Sequence, residues 1–171
     1  NCAFYCGATP VFADINPETY NIDPQSIRAH ITERTKAVVA VDFTGQVVEA
    51  EKIRAICDEY NLIFIEDGAH SIGSRYNGKP VGTLADMTTF SFHPVKTITG
   101  GEGGAILTNN KDLYTKLVLA HTHGITHDES LMEGAPHEGE WYYEQIMLGY
   151  NYRLTDFQAA LLTSQLGKLS R

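Results

Sequence analysis

Residues Lys36 to His70 read KAVVAVDFTGQVVEAEKIRAICDEYNLIFIEDGAH. The run opens with Ala-Val-Val-Ala-Val at 37–41, which suits a strand buried on both faces of a parallel sheet. Glu49 to Tyr60 then places Ile53, Ile56 and Cys57 on one side of an amphipathic helix. Leu62-Ile63-Phe64-Ile65 is a second buried strand that runs straight into Glu66-Asp67. A strand, a helix and a strand joined by short connections form the unit from which parallel α/β sheets are built.

The pattern continues on both sides. Upstream, Thr9 to Ile15 is a short apolar run and a candidate strand. Asp23-Pro24 starts a helix, with Asp23 as N-cap and Pro24 in the first turn, and Ile27 and Ile31 on one face. Downstream, Asn77-Gly78 is a hairpin turn between Ser74-Arg75-Tyr76 and Lys79-Pro80-Val81. Thr88 to Phe92 and Gly104 to Thr108 read as strands separated by a loop from His93 to Gly103. Asn110 caps a helix that runs to about Ala120. His121 to Gln145 is polar and irregular, the kind of long loop that carries function. Asn151 or Thr155 opens a last helix, with Phe157, Leu161, Leu162 and Leu166 near helical spacing.

Composition narrows the function. The 171 residues carry 13 Lys+Arg and 21 Asp+Glu, a net charge of −8, which argues against general binding to nucleic acid or anionic membranes. A hydrophobic content of 43% excludes wholesale disorder, and no apolar run approaches the roughly 18 residues a membrane-spanning helix needs. Cys2, Cys6 and Cys57 are odd in number and lack the second pair that a zinc site would require, so no metal is expected. They are read as reduced, mostly buried thiols of a cytoplasmic protein. The chain opens on Asn1 without Met and closes at Arg171 inside a helical pattern, so both ends read as cuts within a longer polypeptide.

Four short stretches carry chemistry. Asp67, in Ile63-Phe64-Ile65-Glu66-Asp67-Gly68-Ala69-His70, stands at the C-terminal end of a buried strand, where α/β proteins place ligands. An acid there can hold a cationic ring nitrogen, or simply cap a turn. In Ser91-Phe92-His93-Pro94-Val95-Lys96, Lys96 is the only lysine or arginine between Lys79 and Lys111. It is either a solvated charge or, held from water, a nucleophilic amine. Ser91 suits an anion, and His93 is read as structural. Thr99-Gly100-Gly101-Glu102-Gly103-Gly104 lets backbone approach a ligand or turn sharply, but is neither a Walker loop nor a dinucleotide fingerprint. Gly149-Tyr150-Asn151-Tyr152-Arg153-Leu154-Thr155-Asp156 crowds amide, phenol and guanidinium groups before a helix, as an anion site or as a cap with Arg153 paired to Asp156.

Taken in this order, the four stretches closely resemble the pyridoxal-phosphate-dependent sugar aminotransferases of the DegT/DnrJ/EryC1/StrS family, as does NCAFYCGATPVFADI at 1–15. The resemblance covers essentially the whole chain. Within the family it is most similar to the branch that aminates UDP-linked 4-keto-6-deoxy-N-acetylhexosamines on the way to pseudaminic-type sugars. It implies the α/β large domain of the fold-type I aminotransferases, with a mostly parallel sheet flanked by helices. Residues 1–171 would be its central part, truncated at both ends. The family's upstream phosphate-binding segment, its ring-stacking aromatic and its small C-terminal domain would lie outside, leaving these residues inactive by themselves.

The resemblance also implies roles. Lys96 matches the lysine that anchors pyridoxal 5'-phosphate and later moves protons, and Asp67 the acid that pairs with the pyridine nitrogen. His70 falls where the family sets a Gln or His against the cofactor, Ser91 matches a phosphate ligand, and Asn151 reaches the phosphate in the other subunit of a homodimer. The substrates would be a nucleotide sugar and an amino acid, glutamate being the expected donor. Gly100 replaces the family's usual Thr, a change expected to alter little beyond loop stiffness. A sugar dehydratase of the same family is an alternative, against which Lys96 speaks because that enzyme carries His there. A non-catalytic domain that binds a ligand or a partner is another.

Overall fold

The computed structural model describes residues 1–133, 139 and 141–169. The elements run α1 (Cys2–Tyr5), α2 (Pro24–His30), β1 (Ala37–Val41), α3 (Ala50–Tyr60), β2 (Ile63–Asp67), β3 (Arg75–Tyr76), β4 (Lys79–Pro80) and β5 (Met87–Ser91). They continue with β6 (Gly104–Leu107), α4 (Lys111–His121), β7 (Ile125–Thr126), β8 (Glu144–Gln145) and α5 (Asp156–Leu166). The main sheet has the order β1-β2-β5-β6. β1, β2 and β5 are parallel, and β6 returns antiparallel to β5, so the sheet is mostly parallel as expected.

Local chemistry explains the boundaries. The Asp23 carboxylate accepts from the Gln25 amide and Pro24 occupies the first turn of α2. Asn61 ends α3 in the left-handed region. Asn77 and Gly78 both have positive φ, the geometry of a tight two-residue hairpin turn between β3 and β4. Thr155, not Asn151, opens α5, through a reciprocal capping box with Gln158.

The core lies on one face of the sheet. Ile53, Ile56 and Cys57 of α3 pack with Ile27 of α2, Val38 and Ala40 of β1, and Phe64 of β2. Asp86 joins these layers, accepting from Arg54 Nη1 at 2.8 Å and from the Phe64 amide at 2.7 Å. A second cluster joins Phe90, Phe92 and Ile98 to Leu162 of α5.

Several expectations are corrected. β1 is buried on one face only, since Val39 and Val41 of β1, Ile63 of β2 and Ile106 of β6 are 40–48% exposed. These strands read as doubly buried because both faces are apolar, but no helix among the described residues covers the second. Residues 9–15 form no strand. Only Ile15 bridges to Ile22, because Val11 and Phe12 find nothing to pack against. Cys2 and Cys6 are exposed, and only Cys57 is buried, its thiol pushed up to about 11 chiefly by burial. Of the apolar residues chosen on α5, only Leu162 is buried. Residues 134–138 and 140 of the irregular 121–145 stretch, and Ser170 and Arg171 at the end of the helical pattern, lie outside the described residues.

Candidate active site

Asp67 and Ser91, and the turn and loop that carry His70 and Lys96, lie where β2 and β5 end. Asp67 closes β2 and pairs in register with Thr89 of β5. Strand alternation therefore puts Asp67, Thr89 and Ser91 on the sheet face that stays open. Asp67 is half-buried, and its Oδ1 accepts from the Ala69 amide at 3.1 Å. Its Oδ2 has no hydrogen-bond partner among the described residues. The chain then turns sharply, with the Gly68 amide on the Thr89 carbonyl and the Ser71 amide on the Gly68 carbonyl. A Cβ on Gly68 would stand 2.9 Å from the Phe90 ring and 3.0 Å from Ser71 Oγ, so only glycine fits without displacement. His70 is exposed on this turn.

Behind the turn lies a polar layer that motif reading missed. Asp42, the residue after β1, is fully buried. It accepts from Ser71 Oγ at 2.5 Å and from the Val48 amide at 3.0 Å, and its own amide donates to the Asp67 carbonyl at 3.0 Å. Glu66, also fully buried, accepts from Thr88 Oγ1 at 2.8 Å, while its Oε1 has no partner among the described residues. Burial pushes both carboxyls above the usual carboxylate range. The Asp67 charge adds to the rise at Asp42, and the Asp42 charge to that at Glu66. The available signal was the apolar run before each acid, which marks a strand end but not what the acid meets.

Ser91 ends β5, and the loop it opens closes on itself. Both the Gly100 amide and Thr99 Oγ1 donate to the Phe92 carbonyl, and the Phe92 amide donates to the Gly103 carbonyl. Lys96 sits on this loop, half-buried, its amide on the His93 carbonyl. Its Nζ has no hydrogen bond or ion pair among the described residues. His93 accepts weakly from the Val95 amide at 3.4 Å, in keeping with a structural role. Gly100 is buried, and a Cβ there would meet Leu162 Cγ at 3.0 Å. Glycine at this position therefore leaves room for α5.

Asn151 stands on a different segment. It is exposed, bridges to Thr122 and is stitched to the end of α4 by the Tyr150 and Tyr152 amides, which donate to Ala120 and His121. Tyr150 and Tyr152 stack with centroids 5.0 Å apart. No ion pair between Arg153 and Asp156 forms, so the capping there belongs to Thr155. This segment meets the lysine loop through Gln158 Nε2, which donates to the Glu102 carbonyl at 3.3 Å.

An acid at a parallel strand end, a hydroxyl on the neighbouring strand and an uncommitted amine on the next loop are the groups expected from the motifs. The sequence profile of the DegT/DnrJ/EryC1/StrS aminotransferase family matches residues 1–171. The chain belongs to the DegT/DnrJ/EryC1/StrS aminotransferase family. A UDP-4-amino-4,6-dideoxy-N-acetyl-beta-L-altrosamine transaminase from Campylobacter jejuni is 41% identical over 172 residues, spanning 99% of this chain and 43% of its own. Helicobacter pylori PseC, an aminotransferase involved in the biosynthesis of pseudoaminic acid, superposes with a TM-score of 0.88 at 39% identity, over 98% of this chain and 42% of its own. The PLP form of Spr1654 from Streptococcus pneumoniae gives a TM-score of 0.82 at 28% identity, over 98% of this chain and 45% of its own. The chain thus spans about two fifths of the length of the DegT/DnrJ/EryC1/StrS relatives it matches. No helix among the described residues is long and apolar enough to cross a membrane.

The residues fit a phosphorylated pyridine aldehyde. Asp67 offers an unbonded carboxylate oxygen for a ring nitrogen, Lys96 a free amine for a carbonyl, and Ser91 a hydroxyl for a phosphate.

Proposed function

We propose that these residues form the central part of the cofactor-binding large domain of a pyridoxal-phosphate-dependent aminotransferase. It moves an amino group from an amino acid, glutamate being the expected donor, to a 4-keto-6-deoxy nucleotide sugar. The observation that carries the reading is the uncommitted Lys96 amine, on the loop that leaves the strand beside Asp67. The UDP-sugar transaminase from Campylobacter jejuni supports the substrate class, and Helicobacter pylori PseC supports aminotransfer on the way to pseudoaminic acid.

Pyridoxal phosphate, when bound, supplies an electron sink for the charge that develops at the donor's Cα. Asp67 would hold the ring nitrogen protonated, in a half-buried setting where such a pairing is stronger than in water. Lys96 would anchor the cofactor through its carbonyl carbon. Once the donor's amine displaces it, the freed Nζ is the base that would take the proton from the donor's Cα and, in the second half of the reaction, supply a proton to the sugar carbon that receives the amino group. Ser91 Oγ would donate to the phosphate, and His70 would stand beside the ring. Asn151, exposed on its own segment, serves the phosphate of a second copy, so the working unit is a homodimer. We place the reaction in the cytoplasm, where free thiols persist.

The test is amino transfer from glutamate to a UDP-linked 4-keto-6-deoxy sugar by the intact polypeptide that carries these residues. Lys96→Ala is expected to lower turnover by about a thousandfold or more, and Asp67→Asn by roughly a hundredfold with the fold intact. Normal turnover in Lys96→Ala would overturn the reading. Unchanged kinetics in Asp67→Asn would reduce that residue to a turn cap.

A further inference from the structure

We propose that Asp42 and Ser71 form a buried clamp that aims the Asp67 carboxylate, so that Asp42 is a positioning residue for cofactor binding. The inference rests on the assignment of Asp67 to the cofactor ring.

Three bonds from one side chain and its amide define the clamp. Asp42 Oδ2 accepts from Ser71 Oγ at 2.5 Å, Oδ1 accepts from the Val48 amide at 3.0 Å, and the Asp42 amide donates to the Asp67 carbonyl at 3.0 Å. The Ser71 amide in turn holds the Gly68 carbonyl, closing the turn that carries Ala69. The Ala69 amide then fixes Asp67 Oδ1 at 3.1 Å and leaves Oδ2 uncommitted. The end of β1 thus sets, through one buried hydroxyl, the rotation of an acid at the end of β2. The loop after Asp42 presses on the same turn. A Cβ on Gly45 would stand 2.9 Å from the His70 carbonyl oxygen, and Ser74 Oγ donates to the Gly45 carbonyl at 3.0 Å.

The chemistry of position 42 separates this role from plain scaffolding. Asp42 and Ser71 have no exposed surface, so water cannot replace a lost bond. A buried carboxyl close to two others, Glu66 and Asp67, is a costly way to fill space that an apolar side chain would fill without desolvation. What a carboxyl supplies here, and an apolar group does not, is two acceptors at a fixed separation. Burial pushes Asp42 upward, and its two hydrogen bonds pull against that rise.

The experiment measures the dissociation constant for pyridoxal phosphate and the melting temperature of the intact polypeptide, for wild type, Asp42→Ala, Asp42→Asn, Ser71→Ala and Asp67→Asn. Asp42→Asn preserves both contacts, with Oδ1 accepting from Val48 and Nδ2 donating to Ser71 Oγ, and should bind within about threefold of wild type. Asp42→Ala and Ser71→Ala should bind roughly 10- to 100-fold more weakly at temperatures where both are fully folded. Ser71→Ala, the milder change, carries the test if Asp42→Ala does not fold. Wild-type affinity in folded Asp42→Ala or Ser71→Ala would overturn the clamp and leave a stability role alone. Equal impairment in Asp42→Asn would also overturn it, because charge and not hydrogen bonding would then be the agent. If Asp67→Asn binds normally, the assignment of Asp67 to the ring fails and the clamp falls with it; if wild type takes up no pyridoxal phosphate, the functional reading itself fails.

Discussion

Glu66 and Asp67 are neighbours in sequence and opposites in setting. Asp67 faces the open side of the sheet with one oxygen free, while Glu66 faces the core with no exposed surface and Oε1 unbonded. Burial first, and the Asp42 charge second, raise Glu66 above its ordinary value of 4.5. The native state then holds the proton more tightly than the unfolded chain does. The stabilisation from that proton is complete below about 4.5 and is lost as pH rises through the native value. Glu66→Gln cannot titrate, so the wild type's stability advantage over it should shrink from pH 5 to pH 8. Urea midpoints at the two pH values check this, and a constant difference would contradict it. The places of Asp67, Ser91 and Lys96 at and just after strand ends were legible in sequence, because each lies in a short contiguous motif that begins with a strand. The Asp42–Ser71 contact was not, because its partners stand 29 residues apart and neither an Asp after a strand nor a Ser in a turn carries a spacing signal.

Elements were legible where a local rule and a tertiary partner agree. α2 has its cap and proline, α3 its apolar stripe, and β1 and β2 their apolar runs. Residues 9–15 have the composition of a strand but no strand beside them, and composition alone cannot supply a hydrogen-bonding partner. The return of β6 antiparallel to β5 was equally unreadable, because the direction of a strand after a folded loop depends on the closure at Phe92. Ile53 of α3 is the anchor, fully buried in the cluster with Val38 and Ala40 of β1 and Phe64 of β2. Ile53→Ala should cost about 2–5 kcal/mol in chemical unfolding. A loss under about 1 kcal/mol would mean that α3 repacks freely and does not hold the sheet that carries the site.

Apolar surface stands uncovered among the described residues. One sheet face is open, and Leu148, Tyr152 and Phe157 stand 71–90% exposed around the segment that carries Asn151. That arrangement suits a second copy seated against residues 148–157, as Asn151 requires if it serves the other subunit's phosphate. Sedimentation of the intact polypeptide should give the mass of a dimer. Phe157→Asp should shift it toward monomer and weaken cofactor binding in parallel. A monomeric wild type with full cofactor affinity would remove the need for the second copy.

The central claim is that Lys96 is the cofactor's covalent anchor. The most direct measurement is to bind pyridoxal phosphate to the intact polypeptide, reduce with borohydride, digest, and locate the added mass by mass spectrometry. One label per chain is expected, on the peptide containing Lys96, and none in Lys96→Ala. A label on Lys79 or Lys111, or a wild type that takes up no label, would contradict it.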